Sequence, residues 1–418
     1  MNKYLLLFVF AFTYIKLYGQ SDNIKLSLND ALMISIKQNP LLIESSEQIN
    51  VAEGRFWSGI SLPKPLLDLS LEFIPISKRL SNYSEKTFSI SQTFEFPTNY
   101  FLKGSKLSDE QEIANYQHIQ KERQIIAELK TAYYNVLTKQ ELIKYAKENL
   151  SISEDFYNKA KIRYNVGEGT NIELLTAKVQ LSEANNKLNI SENELRTSLT
   201  ELNFLLGNES TKHNNYILTD TLEFKLYNLN LEDIYSISSI SNPSIKIAEL
   251  NIDISSTERS IAWTSLLPNF NFAYYRQALD GNDGFYGASF GIEVPLWFLF
   301  EQRGNIKEAN AKQLISEALY TQTKNEISLI AKNAYMFFIT ASQQLSTYTN
   351  DILPQAEEVY RVGKNSYDVG ELSYLEYLQV KQLLNSAKEN YIVALFNYNK
   401  SIASLEEILG KNINELEN

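Results

Sequence analysis

Cysteine is absent from this chain of 418 residues, and histidine occurs only as His118 and His213. Disulfide staples, thiol catalysis, cysteine-based metal sites and a lipid anchor on an N-terminal cysteine are excluded. Glycine is scarce, at 15 residues, which suits long helices. Positive charge is also in deficit: the formal net charge is −11, and losing a leader that carries Lys3 and Lys16 lowers it by two more. A nucleic-acid partner, which calls for a basic patch, is not expected. Past the N-terminus no run approaches the ~20 consecutive apolar residues of a membrane helix. What the chain does have is tyrosine, 26 residues of it, a side chain that suits membrane-interface belts.

The N-terminus reads as a signal peptide over residues 1–19. Lys3 supplies the positive end, Leu5 to Phe12 a short apolar run, and Gly19 a small residue at a cleavage point. The expectation is an exported protein that is either soluble or crosses an outer membrane as strands.

The remainder repeats itself at a spacing of 203 residues. Asn39-Pro40 recurs as Asn242-Pro243, and Tyr164-Asn165-Val166-Gly167-Glu168 as Tyr367-Asp368-Val369-Gly370-Glu371. Lys178 recurs as Lys381, and Leu206-Gly207 as Leu409-Gly410. One offset across distant landmarks marks a tandem duplication. The expected division is a first repeat over 20–207, a linker over 208–230, a second repeat over 231–410 and a short tail over 411–418.

Four stretches lack both glycine and proline: Ser105–Val166, Thr170–Leu206, Asn305–Leu353 and Glu371–Leu409. Their apolar residues follow three-four spacing. Ile126, Leu129, Tyr133, Val136, Ile143 and Leu150 form one stripe; Leu384, Ala387, Tyr391, Ala394, Tyr398, Ile402, Leu405 and Leu409 form another. This is coiled-coil-like helix, expected at about 101–166, 170–206, 305–366 and 371–409. The helices reverse at Gly167-Glu168-Gly169 and at Gly370, with Thr170 and Ser373 as N-caps of the returning helices.

Elsewhere the period changes to two. Leu67, Leu69, Leu71 and Phe73 alternate with polar residues, as do Phe88, Ile90, Phe94 and Phe96. In the second repeat Phe270, Phe272 and Tyr274 alternate, then Tyr286, Ala288, Phe290, Ile292 and Val294. Two hairpins are expected, at about 66–96 and 269–295, each strand long enough to cross a bilayer at a tilt. Four strands cannot close a barrel, because the smallest bacterial barrels have eight and open edges are not tolerated in lipid. Two chains would supply eight strands and three would supply twelve. The alternative is an exported, soluble, coiled-coil structural or adhesion protein.

The order of elements resembles the TolC-type outer-membrane efflux protein family over roughly Ser27 to Gly410. The resemblance is carried by Leu26-Ser27-Leu28-Asn29-Asp30-Ala31-Leu32 with Asn39-Pro40, by Leu231-Glu232-Asp233 with Asn242-Pro243, by Ser91-Gln92-Thr93-Phe94-Glu95-Phe96-Pro97, and by the two motifs ending in Val166-Gly167 and Val369-Gly370. It implies a mainly α fold with a small membrane β part. A homotrimer would form a 12-stranded β-barrel continuous with a periplasmic α-helical barrel. It also implies a passive outer-membrane exit channel of an efflux or type I secretion system, with no enzymatic step and no cofactor. The partners it implies are a periplasmic adaptor protein, an inner-membrane pump and outer-membrane lipid.

Two sets of residues follow from the resemblance. Glu173 and Glu376, six residues past Gly167 and Gly370, would line the closed periplasmic end as a carboxylate ring that favours cations, with crowding raising their pKa values. Gln379 stands where some relatives carry a further acid. Val166, Gly167, Val369 and Gly370 would form helix tips that dock the adaptor. Other signals carry little. Gly167-Glu168-Gly169 lacks the Gly-Lys-Ser/Thr of a phosphate loop, and a calcium loop at Asp280 would have Gly291 where glutamate is needed. His118 and His213 read as solvated. Trp57, Trp263 and Trp297 flank the hairpins, where an interfacial belt would want them.

Overall fold

A computed structural model describes residues 24–208, 216–280, 282–296 and 300–415. The signal peptide, His213, Gly281, Trp297 and the last three residues lie outside these. The elements run β1 (Ile24–Leu26), α1 (Leu28–Gln38), α2 (Pro40–Gly59), β2 (Leu66–Glu72), β3 (Glu85–Phe94), α3 (Pro97–Asn165) and α4 (Asn171–Leu205). The second half runs β4 (Tyr216–Leu218), α5 (Leu231–Ser241), α6 (Pro243–Thr264), β5 (Asn269–Leu279), β6 (Asn282–Glu293), α7 (Glu301–Thr347), α8 (Leu353–Asp368) and α9 (Tyr374–Leu409). At 69 residues, α3 is roughly 100 Å long.

Local chemistry sets the breaks. Asn39 caps α2 by accepting from the Leu41 N–H, and Asn242 caps α6 by accepting from the Ser244 N–H. Each is followed by proline at the first helical position, where the missing N–H costs nothing. Gly207 and Gly410 end α4 and α9 with φ of +80° and +65°. A Cβ on Gly207 would stand 2.4 Å from the Gln38 carbonyl oxygen, so this close approach of α4 to the α1–α2 junction requires glycine.

Each repeat has its own core. In the first, Leu129, Tyr133 and Val136 of α3 meet Leu202, Leu205 and Leu206 of the α4 end, with Leu26 and Leu218 from the parallel β1–β4 pair. In the second, Ala331, Phe338 and Leu345 of α7 meet Ala394, Tyr398, Leu405 and Leu409 of α9. Each fully buried leucine contributes roughly 1.5–3 kcal/mol. The short tail joins the second core: Ile413 is fully buried, and the Asn414 Oδ1 accepts from Lys225 and Tyr227.

The four longer strands form one sheet in the order β2-β3-β5-β6, antiparallel throughout, with β2 and β6 at open edges. Register puts Leu67, Ile90 and Tyr274 on one face, with Leu69, Phe88, Arg276 and Tyr286 in the next row, and Phe272 beside Phe290. Asp68, Ser89, Ser70, Thr87 and Gln277 occupy the other. The apolar face is exposed along its length. Trp57 and Trp263, near the ends of the helices that enter the hairpins, are exposed as well.

Three details depart from the sequence reading. The first long helix starts at Pro97 rather than near 101 and runs through Gly104, because proline starts a helix well and one glycine does not stop a packed one. The helix expected over 305–366 is interrupted by a π-helical turn, Tyr348–Ile352, before Pro354. Its cause is a one-residue insertion. Lys130-Thr131-Ala132-Tyr133 matches Lys332-Asn333-Ala334-Tyr335 at an offset of 202, not 203. Buried Leu129, Val136 and Ile143 correspond to buried Ala331, Phe338 and Leu345 at that offset, while Ser153 and Ala160 correspond to Ala356 and Gly363 at 203. A π turn takes up one extra residue without breaking the helix. Third, His118 is not simply solvated: its Nδ1 lies 2.8 Å from the Ser45 hydroxyl, tying α3 to α2.

Candidate functional site

The two helix tips are built alike, residue for residue. In the first, the Gly167 N–H donates to the Tyr164 carbonyl and the Glu168 N–H to the Arg163 carbonyl, at 3.1 and 2.9 Å. In the second, Gly370 donates to Tyr367 and Glu371 to Ser366, at 3.1 and 2.8 Å. This double hydrogen bond closes a helix through a left-handed residue, and Gly167 and Gly370 have φ of +83° and +82°. Space around both glycines is open, with nothing within 4 Å of a Cβ position. Val166 and Val369 are 64% and 71% exposed. Each tip thus presents a bare valine beside bare backbone.

The two glutamates begin the returning helices. Glu173 accepts from the Thr170 N–H while the Thr170 hydroxyl accepts from the Glu173 N–H, at 3.2 and 3.1 Å. Glu376 and Ser373 repeat this box. Both carboxylates therefore have a structural task, satisfying an otherwise free N–H at a helix start. The signal was present in Thr170-x-x-Glu173 and Ser373-x-x-Glu376. Their surroundings differ. Glu173 has Arg163 at 3.7 Å, whereas Ser366 occupies the position equivalent to Arg163 in the second repeat. Hydrogen bonds from Ser373 hold the Glu376 carboxyl below its ordinary range. Within one chain this is opposite to the rise expected from crowding, because the cap favours the charged form. Gln379 is exposed one turn further along α9.

Above the tips lies a groove of about 510 Å³ between α3, α4 and α9. Asn385 donates across it to the Asn149 Oδ1 at 3.2 Å, and Lys187 pairs with Glu389 at 3.0 Å. Tyr374 stacks on Phe156 with ring centroids 3.3 Å apart, and Tyr367 stacks on Tyr377 at 4.8 Å. Lys381 projects into the groove from α9 and is almost wholly buried. Desolvation lowers its pKa to about 8, against the opposing pull of Glu148. The repeat had marked Lys381 in the sequence, but nothing there disclosed its burial, which depends on α3 crossing beneath α9. Among the described residues no group of three or more histidine or acidic side chains could hold a metal ion. No described helix is long and apolar enough to cross a membrane.

A family model described as outer membrane efflux protein matches residues 105–208 and 234–411. The cobalt-zinc-cadmium resistance protein CzcC of Cupriavidus metallidurans is 22% identical over 402 residues, covering 92% of this chain and 90% of that protein. Among solved structures, the outer-membrane channel OprN superposes with a TM-score of 0.79 at 16% identity, covering 92% of this chain and 89% of that one. The outer membrane protein VceC of Vibrio cholerae superposes at 0.78 and 14% identity, covering 92% and 96%.

Proposed function

The chain belongs to the outer membrane efflux protein family, a family of channels rather than enzymes, and from that premise we propose that it is the passive exit duct of a tripartite efflux or type I secretion system. Three chains would contribute four strands each to one 12-stranded barrel in the outer membrane. Their helices would continue it as a tunnel through the periplasm. The tips at Val166-Gly167 and Val369-Gly370 would meet a periplasmic adaptor that connects to an inner-membrane pump, which supplies the energy. Glu173 and Glu376 would ring the periplasmic opening, with Gln379 beside them.

The observation that carries this reading is the sheet. One of its faces is mainly apolar and bare, the other mainly polar, and each edge strand has one unpaired side. Left in water, each apolar side chain would forgo roughly 1.5–3 kcal/mol of burial. In lipid the face is matched, but the open edges must then be paired. Several copies sharing one barrel meet both demands; a soluble coiled-coil protein meets neither. As for cargo, the relative named for cobalt-zinc-cadmium resistance makes divalent metal ions the first class to assay.

The test is fractionation followed by electrical recording. The protein should partition with outer membranes and, once extracted and placed in planar bilayers, give discrete single-channel currents without any energy source. Recovery in the soluble fraction with silent bilayers would reject the reading.

A further inference from the structure

The groove between α3, α4 and α9 holds a charge that the chain leaves unpaired. Lys381 is 6% exposed, yet its side chain lines the open groove. Among the described residues it makes no hydrogen bond and no ion pair. Glu148 acts on it from α3 without forming an ion pair. A buried ammonium is normally paired, because it otherwise loses hydration with nothing in exchange. The repeat does not demand this burial: Lys178, the equivalent residue 203 positions earlier, is exposed.

The surroundings supply neutral donors. Asn149 accepts from Asn385 through its Oδ1, which leaves its amide N–H groups unused among the described residues. Gln180 accepts from the Tyr374 hydroxyl through its Oε1, and its amide N–H groups are unused in the same sense. Asn385 lies one helical turn from Lys381 on the same face of α9, so ammonium and amides border one part of the groove. Next to them the wall is apolar, with Ile152 and Phe156 from α3 and Leu378 from α9. Charge limits what can enter. Lys187, the other cation on the walls, is paired with Glu389 at 3.0 Å, and Glu183 adds a further carboxylate. One available cation near two acids suits a single negative charge and opposes a phosphate or other multiply charged anion. A volume of about 510 Å³ falls in the range of small-molecule sites.

We propose that this groove binds a monoanionic organic acid, its carboxylate held by Lys381 with the amide N–H groups of Asn149 and Gln180, and its apolar body laid against Phe156 and Leu378. The ligand touches α3, α4 and α9 at once. The site stands on the fold of one chain and does not depend on the channel reading.

Titration gives the site a signature. Desolvation leaves Lys381 with a pKa of about 8. Burial pushes the Tyr374 and Tyr377 hydroxyls up. On the α8 side, Tyr360 and Asp368 act on Tyr377 and not on Lys381. The other charged groups on the walls are Glu183, Lys187 and Glu389, with Glu148 beside them. Raising the pH through 8 removes the Lys381 charge, so affinity for an acid falls there.

The probe is 2-naphthoate, with 2-naphthamide as the same body without the charge, titrated by calorimetry into the detergent-extracted full-length chain. At pH 7 one naphthoate per chain should bind, about tenfold or more tighter than the amide. Its affinity should fall about tenfold or more by pH 10. Lys381→Met should remove both the preference for naphthoate and its pH dependence, and Lys178→Met should change neither. Asn149→Asp keeps the acceptor for Asn385 and supplies a carboxylate from within the chain. It should abolish naphthoate binding and raise the thermal midpoint. Circular dichroism and native mass check that each variant folds and assembles as the wild type does. Naphthoate that binds no tighter than the amide, or binds wild type and Lys381→Met alike, would overturn the site, as would an absence of saturable heat. None of these results bears on the channel reading, which bilayer recording tests separately.

Discussion

At the scale of single residues, the two capping glutamates carry a structural task and a proposed one, and substitution can separate them. Glutamine preserves a capping box, so Glu173→Gln and Glu376→Gln remove charge and keep the helix starts. Arg163 lies beside Glu173, whereas the equivalent position in the second repeat is Ser366 and, among the described residues, no ion pair is formed by Glu376. Single-channel recordings should therefore show a larger loss of cation preference and of block by multivalent cations for Glu376→Gln than for Glu173→Gln, and the largest for the pair. Unchanged selectivity in the double variant would reject the carboxylate ring. Lys381 offers a second test. Its folded pKa of about 8 lies below the ordinary 10.5, so the unfolded chain holds the proton more tightly between those values. Its burial therefore lowers stability below pH 8, and the deficit is relieved as pH rises from about 8 to 10.5. Lys381→Met should raise the thermal midpoint at pH 7 and lack the wild type's gain over that window; parallel pH profiles would contradict the desolvation account.

At the scale of elements, the helices and hairpins could be read from sequence because their apolar periods differ, 3.6 against 2. Leu129, Tyr133 and Val136 or Phe88 and Ile90 show the change directly. The helix tips were legible from glycine placement. The π turn was not, because every landmark used to set the 203-residue offset lies outside the interval where the offset is 202. The groove was hidden for a different reason: it forms where α3, α4 and α9 meet, far apart in sequence. Two predictions belong here. Deleting Asn350 from the π turn leaves the residue count of the first repeat, which runs as continuous helix. The variant should assemble with a thermal midpoint no lower than wild type; failure to assemble would mean the extra residue is required. Asparagine tolerates a left-handed backbone better than other side chains, and the space at Gly370 is open. Gly370→Asn should preserve the turn and the assembly and abolish efflux in cells, because its side chain would cover the backbone at the proposed adaptor dock. Normal efflux would leave helix termination as the only task of that glycine.

At the scale of the whole molecule, the chain is open on the same two sides wherever the elements form a row. The sheet ends in the open edges of β2 and β6, and the helices near the tips end in α4 and α8. The duplication explains this, since each repeat covers one side of the other and leaves its own equivalent side uncovered. Counting strands in the sequence was enough to rule out a single-chain barrel, but finding the uncovered faces required burial, which only the folded chain discloses. The central claim, that copies of this chain close one pore, is tested most directly by native mass spectrometry of the detergent-extracted protein. Three chains per particle are predicted. A particle of one chain, stable in detergent and unchanged on dilution, would contradict the account.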